Sequence, residues 1–429
     1  GQILLKNGYD RYNDLFVSCE CGSSKKQGDL YRYIKTRYGA IGSIVHIGDN
    51  FFSDFLNSKK YGVNSLFYKS VTNSGIGYRY SNIVDQSLGT SVSNALINNK
   101  IHNGLCLLNS YQQYGYVYGG PLVIGFCHWI NKYISEANID KVLFLSRDSE
   151  VIFKVYKDYY KKTDAEYVYA SRRAILPLLF ELYPKFFLER VVKEWATQNE
   201  MTVQEVLEES HMTCIKNMLK EENIELDDVF SLTNYEHIMK LMIKYKDDIV
   251  DELRIVRDAA ADYWKSVIGD AKTIGLVDVG WRGSIPTGLN IFLNRICDFE
   301  VDIYCFQLST ERNEWNYYEY DENKLLSYCC SSDFNTDMYK LLKHDLVRLK
   351  IIELLFASSE NSLISYEYDD KGCVYLKFEK HKSQSEEMIK DMHFGVFEFA
   401  KDYKKIESDN SLDLSISGEV AFKPMHNIK

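Results

Sequence analysis

Short apolar runs alternate with amphipathic stretches through residues 1–70. The pattern predicts helices at 28–39 and 51–62, and it predicts strands at 15–19 (LFVSC), 43–48 (SIVHIG) and 64–69 (NSLFYK). Because strands and helices alternate through short links, we expect these strands to form a parallel sheet of an α/β domain.

A second alternating block begins with an apolar helix at 121–137. Strand-like runs follow at 141–146, 166–171, 273–280 and 302–309. Between the second and third of these runs lies a helical insertion, about 183–268, which is rich in Glu, Lys, Leu and Met. We expect this insertion to lie over the strand ends as a lid.

The predicted fold class is therefore α/β, with two doubly wound, Rossmann-like domains. The first domain, 1–70, is incomplete, and a connecting helical region at 71–120 leads to the second domain at 121–330. A mixed α+β extension, 331–429, completes the chain, with a helix at 338–357 and a hairpin around 366–379.

Composition and charge exclude several classes of function. The net charge of −10 and the absence of a basic patch argue against nucleic-acid binding. No apolar run is long enough to span a bilayer, and the 10 cysteines lack zinc-ligand spacing, so we expect a cytoplasmic protein with reduced thiols. The chain begins at Gly1 without an initiator methionine, so we expect a piece of a longer protein or a processed form.

Two carboxylates follow the strand predicted at 43–48. Gly48-Asp49 ends the strand, and Asp54 lies about one turn into the next helix. Carboxylates that converge at a strand end suit Mg²⁺, which prefers oxygen ligands and commonly holds a phosphate. Ser18 and Lys25 follow the preceding predicted strand, so a hydroxyl and an ammonium are expected near the same edge.

This order of a hydroxyl, a lysine and G-D-x-x-x-S-D resembles the haloacid dehalogenase-like (HAD) phosphohydrolase superfamily. The resemblance implies that Ser18 matches the second motif and Lys25, rather than Lys26, the third, with Asp49 and Asp54 in the acidic fourth motif. It also implies a HAD-type domain of the kind attached to bacterial surface-polysaccharide enzymes. Residues 1–14 contain no strand followed by the D-x-D nucleophile motif, so phosphatase chemistry requires an aspartate upstream of this chain.

Three strand ends of the second block carry arginines and acids. They supply Arg147 and Asp148, then Arg172 and Arg173, then Asp278, Trp281, Arg282 and Ser284. Clustered arginines without an anion between them are unfavourable, so the pattern predicts an anionic-ligand site. The alternative is that these arginines and acids form ion pairs that hold the loops together. Glu353, in an apolar helix, is either a buried acid that serves the cleft or, as we expect, a group paired near a helix end.

Three functions remain open at this point. The first is a protein of capsule or O-antigen biosynthesis that binds a phosphorylated sugar or a sugar nucleotide. The second is a non-catalytic scaffold, or an accessory module of a glycosyltransferase domain or subunit. In the third, the second domain is itself a glycosyltransferase, with Asp148 or Asp278 as its catalytic base.

Overall fold

The computed structural model describes residues 1–39, 42–70, 87–102, 106–161, 163–193, 196, 200–231, 233–321, 323–380, 385–410 and 412–427. The chain divides into two compact units. Unit 1 comprises Gly1–Gly77 and Asn98–Cys106, and unit 2 comprises Tyr78–Ile97 and Leu107–Lys429. Most of the predicted connecting region, at 71–86 and 103–105, lies outside the described residues.

Unit 1 contains a small parallel sheet of two strands, β1 (Val45–Gly48) and β2 (Asn64–Phe67). Its helices are α1 (Gln2–Lys6), α2 (Ser18–Cys21), α3 (Asp29–Tyr38), a π-helix (Phe51–Leu56) and α4 (Asn57–Lys60). Two of the three predicted strands are present.

The strand predicted at 15–19 is wrong. Ser18 begins the single helical turn of α2, and residues 15–17 do not pair with a strand. The ring of Phe16 instead packs edge-on against Tyr33 and Tyr38 of α3, with centroids 5.8 Å and 6.2 Å away. The aromatic side chain of this short apolar run therefore packs against a helix. The sequence pattern alone could not distinguish such a run from a strand.

Unit 2 is built around a sheet of five parallel strands: β3 (Lys141–Leu145), β4 (Asp164–Val168), β5 (Thr273–Trp281), β6 (Asp302–Thr310) and β7 (Leu325–Ser331). Their order across the sheet is β4-β3-β5-β6-β7. The first four of these strands were predicted. The edge strand β7 was missed because its sequence, LLSYCCS, mixes polar and apolar residues without a period of two.

Most described helices belong to unit 2, and α5 is shared between the two units. The α-helices are α5 (Leu88–His102), α6 (Ser110–Tyr114), α7 (Gly120–Ala137), α8 (Glu150–Tyr159), α9 (Arg172–Ile175), α10 (Pro184–Phe187), α11 (Val203–Glu209), α12 (Lys216–Glu221), α13 (Tyr235–Lys244), α14 (Lys246–Ile268), α15 (Ser284–Ile291), α16 (Glu314–Glu319), α17 (Thr336–His344), α18 (Leu346–Phe356), α19 (Glu386–Asn410) and α20 (Gly418–Phe422). Single turns of π-helix lie at Gly115–Gly119, Leu188–Val192 and Phe292–Ile296, and 3₁₀ turns lie at Leu176–Leu179, Thr213–Ile215 and Lys423–Asn427.

Helices cover both faces of the five-stranded sheet. Leu143 and Leu145 of β3 belong to the same buried cluster as Trp264 of α14. Phe144, which points to the opposite face, packs against Tyr156 of α8 with ring centroids 5.2 Å apart. Alternate side chains of one strand therefore enter two separate layers, as a buried parallel strand requires.

The C-terminal region belongs to unit 2. The predicted hairpin is present as the antiparallel strands β8 (Leu363–Tyr368) and β9 (Val374–Phe378), and the Tyr366 hydroxyl donates to the Tyr169 carbonyl at 2.7 Å. The helix predicted at 338–357 is divided between α17 and α18 at Asp345. No helix in the described part of the chain has both the length and the hydropathy that crossing a bilayer requires.

Candidate functional site

The order in which successive strands are added to the sheet of unit 2 reverses at β3, while all strands stay parallel. The chain passes from β3 to β4 on one side and then returns to place β5 on the other side of β3. In open parallel sheets, a crevice forms at the carboxyl ends of the two strands that flank such a reversal, and ligands bind there. The loop after β3 and the end of β5 are therefore the expected walls of a site.

Two acids occupy these walls. Asp148 follows β3, and Asp278 lies near the end of β5, one residue beyond the Val277–Phe144 pair. Burial and the neighbouring Asp148 carboxyl raise the pKa of Asp278 to about 7, although Arg172 and a hydrogen bond from Gln307 (3.4 Å) oppose this. Asp148 is exposed, yet the surrounding protein desolvates it enough to raise its pKa above the usual range, against the effect of Arg147 and Arg172.

Two arginines adjoin these acids without pairing with them. Arg147 and Arg172 are exposed, and neither guanidinium forms an ion pair or a hydrogen bond with any residue that the structure describes. Both nevertheless lower the pKa of Asp148, and Arg172 lowers that of Asp278. The opposite charges therefore influence one another, although no ion pair joins them within the described residues.

The backbone of Arg147 is held in the left-handed region, with φ of 72°. Its N–H donates to the Tyr167 hydroxyl at 2.8 Å, and that hydroxyl donates to Glu360 at 2.8 Å. Non-glycine residues adopt this conformation at a cost and do so mainly where the surroundings enforce it. Tyr167 and Glu360 therefore fix the turn that presents Arg147 and Asp148.

Trp281 and Glu353 add an aromatic ring and a third acid. Trp281, at the end of β5, also has a left-handed backbone, with φ of 79°. Desolvation and the Asp148 carboxyl raise the pKa of Glu353 on α18, while Arg172, Lys350 and the Trp281 indole act to lower it. The side chain of Glu353 is exposed, so it is not the buried acid that one of the two interpretations expected.

The remaining predicted site residues of unit 2, unlike Arg147 and Arg172, have ion pairs or a place at a helix start. Arg173 forms ion pairs with Glu209 (2.6 Å) and Glu379 (2.5 Å). It therefore links the helical insertion to the hairpin, which agrees with the alternative that ion pairs hold these segments together. Arg282 is 4.0 Å from Glu311, and its carbonyl accepts from Asn313 at 3.3 Å. Ser284 begins α15 directly after Gly283, whose φ is 61°.

In unit 1, two of the four predicted site residues are in contact. The Lys25 ammonium is 2.7 Å from Oδ1 of Asp54, whose side chain is only 3% exposed. His46 lies 3.2 Å from the same oxygen, and the Asn50 N–H donates to Oδ2 at 3.0 Å. Burial works to raise the pKa of Asp54, but these hydrogen bonds outweigh it and lower the pKa below its usual value.

Gly48 is required for this arrangement. A Cβ atom at Gly48 would lie 2.4 Å from the Cγ of Asp54, so any larger residue would displace the carboxyl. Ser18 and Asp49, in contrast, have exposed side chains, and Ser18 lies on α2 rather than at a strand end. The glycine before Asp49 thus serves the packing of Asp54.

The arrangement around Asp54 does not fit a directly bound Mg²⁺. Lys25 and His46 occupy Oδ1, and the backbone of Asn50 occupies Oδ2, so a cation would first have to displace them. Within the described ranges, no group of three His, Cys, Asp or Glu side chains is arranged to hold a metal ion. Mg²⁺ binding by Asp49 and Asp54 stays a prediction.

Sequence reasoning did not find Tyr167, Gln307 and Glu360. Gln307 gives a weak signal, because it is a single amide inside the apolar strand β6, where it is fully buried and bonded to Asp278 and Thr310. Tyr167 and Glu360 are separated by 193 positions, and no local pattern connects them.

A scan against models of protein families found no match for this chain, and a search of curated proteins found none either. The HAD resemblance of residues 1–70 therefore stays a prediction.

Proposed function

We propose that this chain is a bacterial protein of cell-surface polysaccharide biosynthesis, and that unit 2 binds a phosphorylated sugar or a sugar nucleotide. One observation carries the proposal: Arg147 and Arg172, both without an ion-pair partner among the described residues, flank Asp148 and Asp278 at the reversal of the sheet. Arginine matches the planar geometry of phosphate, and the reversal of a parallel sheet is a common ligand site.

The proposed chemistry at this site is acid–base catalysis by Asp278. A carboxyl with a pKa of about 7 exists in both protonation states near neutral pH, which is the condition for efficient proton transfer. This supports the third of the open functions, in which unit 2 is itself a glycosyltransferase and Asp278 removes a proton from an acceptor hydroxyl.

For the chain as a whole we propose a fold of two doubly wound, Rossmann-like domains, of which unit 1 is HAD-like. The order of Ser18, Lys25, Asp49 and Asp54 and the Lys25–Asp54 contact support this assignment. Phosphatase activity would require a nucleophilic aspartate upstream of Gly1. A glycosyltransferase domain or subunit is the proposed partner.

The scaffold alternative is supported by Arg173, whose two ion pairs are structural. The two alternatives differ in one measurable property, ligand binding. A thermal-shift screen of this chain against sugar nucleotides and sugar phosphates, with and without Mg²⁺, should show a rise in melting temperature with at least one ligand. The Arg172→Ala variant should lose that rise, and the absence of any shift in the wild type would favour the scaffold.

A further inference from the structure

The loop after β3, which carries Arg147, and the loop after β4, which carries Arg172, are bonded to each other through a serine. Ser146 precedes Arg147, and its N–H donates to the Val168 carbonyl at 2.8 Å, which extends the β3–β4 ladder by one bond. Its hydroxyl donates to the Ala170 carbonyl at 3.0 Å and accepts from the Ala170 N–H at 3.1 Å. The side chain therefore continues the bonding between the two strands where the backbone turns away.

Ser171 occupies the corresponding position before Arg172. It is the N-cap of α9, and its hydroxyl accepts from the Ala174 N–H at 3.0 Å. The same hydroxyl donates to the carbonyl of Leu363, the first residue of β8, at 2.6 Å, and Ser171 is only 7% exposed. Because this hydroxyl both donates and accepts, it fixes the start of α9, and with it the backbone of Arg172, against the hairpin.

The C-terminal region supports both loops. Leu363 holds Ser171, and Glu360, three residues earlier, accepts from the Tyr167 hydroxyl that holds the Arg147 N–H. The two loops are therefore bonded to each other and to one common segment of the chain.

These bonds fix two backbones whose guanidiniums have no ion pair. Arg147 and Arg172 are both exposed, and neither has an ion-pair partner among the residues that the structure describes. Like charges repel, so two arginines on independent loops would move apart. Neighbouring strands lie roughly 5 Å apart, so loops that are locked to each other keep both arginines within reach of the same anion.

We infer that Ser146 and Ser171 are positioning residues, which hold Arg147 and Arg172 side by side so that both guanidiniums bind one phosphoryl group of the ligand. The inference rests on the proposed function and adds that the two loops share this group. A phosphoryl group between two planar guanidiniums accepts several charge-assisted hydrogen bonds, and their strength depends on where the donors lie relative to each other.

Isothermal titration calorimetry of the intact chain tests the inference, with inorganic phosphate and pyrophosphate as probes. We expect Ser146→Ala and Ser171→Ala to bind both anions about five-fold or more weakly than the wild type, because each variant loses hydrogen bonds that fix a loop. Ser146→Thr and Ser171→Thr keep the hydroxyl and should bind within about two-fold of the wild type. Ser135→Ala, which removes an exposed hydroxyl bonded within α7, is the control and should bind as the wild type does.

Double-variant cycles distinguish positioning from a purely structural role. In the Arg172→Ala background only one of the two arginines remains, so Ser146→Ala should weaken binding there by less than about two-fold. Ser171→Ala in the Arg147→Ala background repeats the cycle from the other loop. An equal loss of affinity with and without the second arginine would overturn the inference, as would a lower melting temperature of Ser146→Ala with an unchanged Kd.

The wild type distinguishes failure of the inference from failure of the proposed function. If a sugar phosphate or a sugar nucleotide binds in the thermal-shift screen but neither phosphate nor pyrophosphate binds, the inference is overturned and the proposed function stands. If no probe binds in either experiment, the proposed function itself is refuted.

Discussion

Asp278 lies beside Asp148 of the neighbouring strand loop, and burial together with this second carboxyl raises the pKa of Asp278 from 3.8 to about 7. The folded protein therefore holds a proton at Asp278 over a pH range in which the unfolded chain has released it. A buried carboxyl with a second carboxyl nearby is a costly arrangement for stability alone, and such perturbed groups concentrate at functional sites.

The first prediction concerns the pH dependence of stability. Because the folded-state pKa of Asp278 is raised, the free energy of unfolding should fall as pH rises from about 4 to about 7 and should level off above that range. Asp278→Asn should remove this pH-dependent contribution to the free energy of unfolding and stabilise unit 2 at pH 8 by roughly 1–3 kcal/mol. Urea denaturation at pH 5 and pH 8 measures both effects, and an equal gain at both pH values would contradict the assignment.

The adjacent residues Arg172 and Arg173 should respond oppositely to substitution. Arg172 has no ion-pair partner among the described residues, so Arg172→Ala should leave the melting temperature unchanged and weaken binding of a sugar phosphate by about ten-fold or more. Arg173→Ala leaves Glu209 and Glu379 unpaired, so it should destabilise unit 2 by about 1–3 kcal/mol. Calorimetry measures the affinity of the two variants for the sugar phosphate, and thermal melting measures their stability. Equal changes in affinity and in melting temperature for both variants would be inconsistent with the structure.

Tyr167→Phe tests whether the turn at Arg147 is held in place. The substitution keeps the ring but removes the hydroxyl that links the Arg147 N–H to Glu360. We expect a three- to ten-fold loss of affinity for the ligand found in the screen, about 1 kcal/mol, with a small change in melting temperature. Tyr375→Phe, which removes an exposed hydroxyl bound to Glu367, is the control. A purely structural Tyr167 would lower stability and leave affinity intact.

In unit 1, the lowered pKa of Asp54 means that its contribution to stability is present above pH 3.8 and is lost as pH falls through the folded-state pKa. Lys25→Met removes the strongest of the hydrogen bonds that lower the pKa of Asp54 and leaves a buried carboxylate with fewer partners. We expect unit 1 to be destabilised by about 1–2 kcal/mol at pH 7 and by less at pH 3. Lys26→Met, at the exposed neighbour, should have no effect, and a loss at Lys26 as large as that at Lys25 would reject the contact.

Gly48→Ala should disrupt the same contact by steric means. The added methyl group would lie 2.4 Å from the Cγ of Asp54, and the displaced carboxyl would lose its partners. A loss of about 1–3 kcal/mol is expected from this overpacking. The double variant Gly48→Ala/Lys25→Met should lose less free energy of unfolding than the two single variants together, because both substitutions act on Asp54. Strictly additive losses would show that the two sites are not coupled.

Local pattern was sufficient to predict most strands and the hairpin. The runs at β3, β5 and β6 are mainly apolar because both faces of a parallel strand are buried, and this signal needs no tertiary information. The placement of Arg147, Asp148, Arg172 and Asp278 at strand ends also followed from sequence. The pattern failed at 15–19, where Phe16 packs on a helix, and at β7, whose composition is mixed.

The sequence by itself therefore determined the α/β class and brought the candidate side chains to strand ends. Only the tertiary structure decided which of them meet. The strand order places β3 between β4 and β5, and long-range contacts commit Arg173 to two glutamates while leaving Arg172 unpaired among the described residues. Adjacent arginines look alike in sequence because ion pairing depends on groups that lie far apart along the chain.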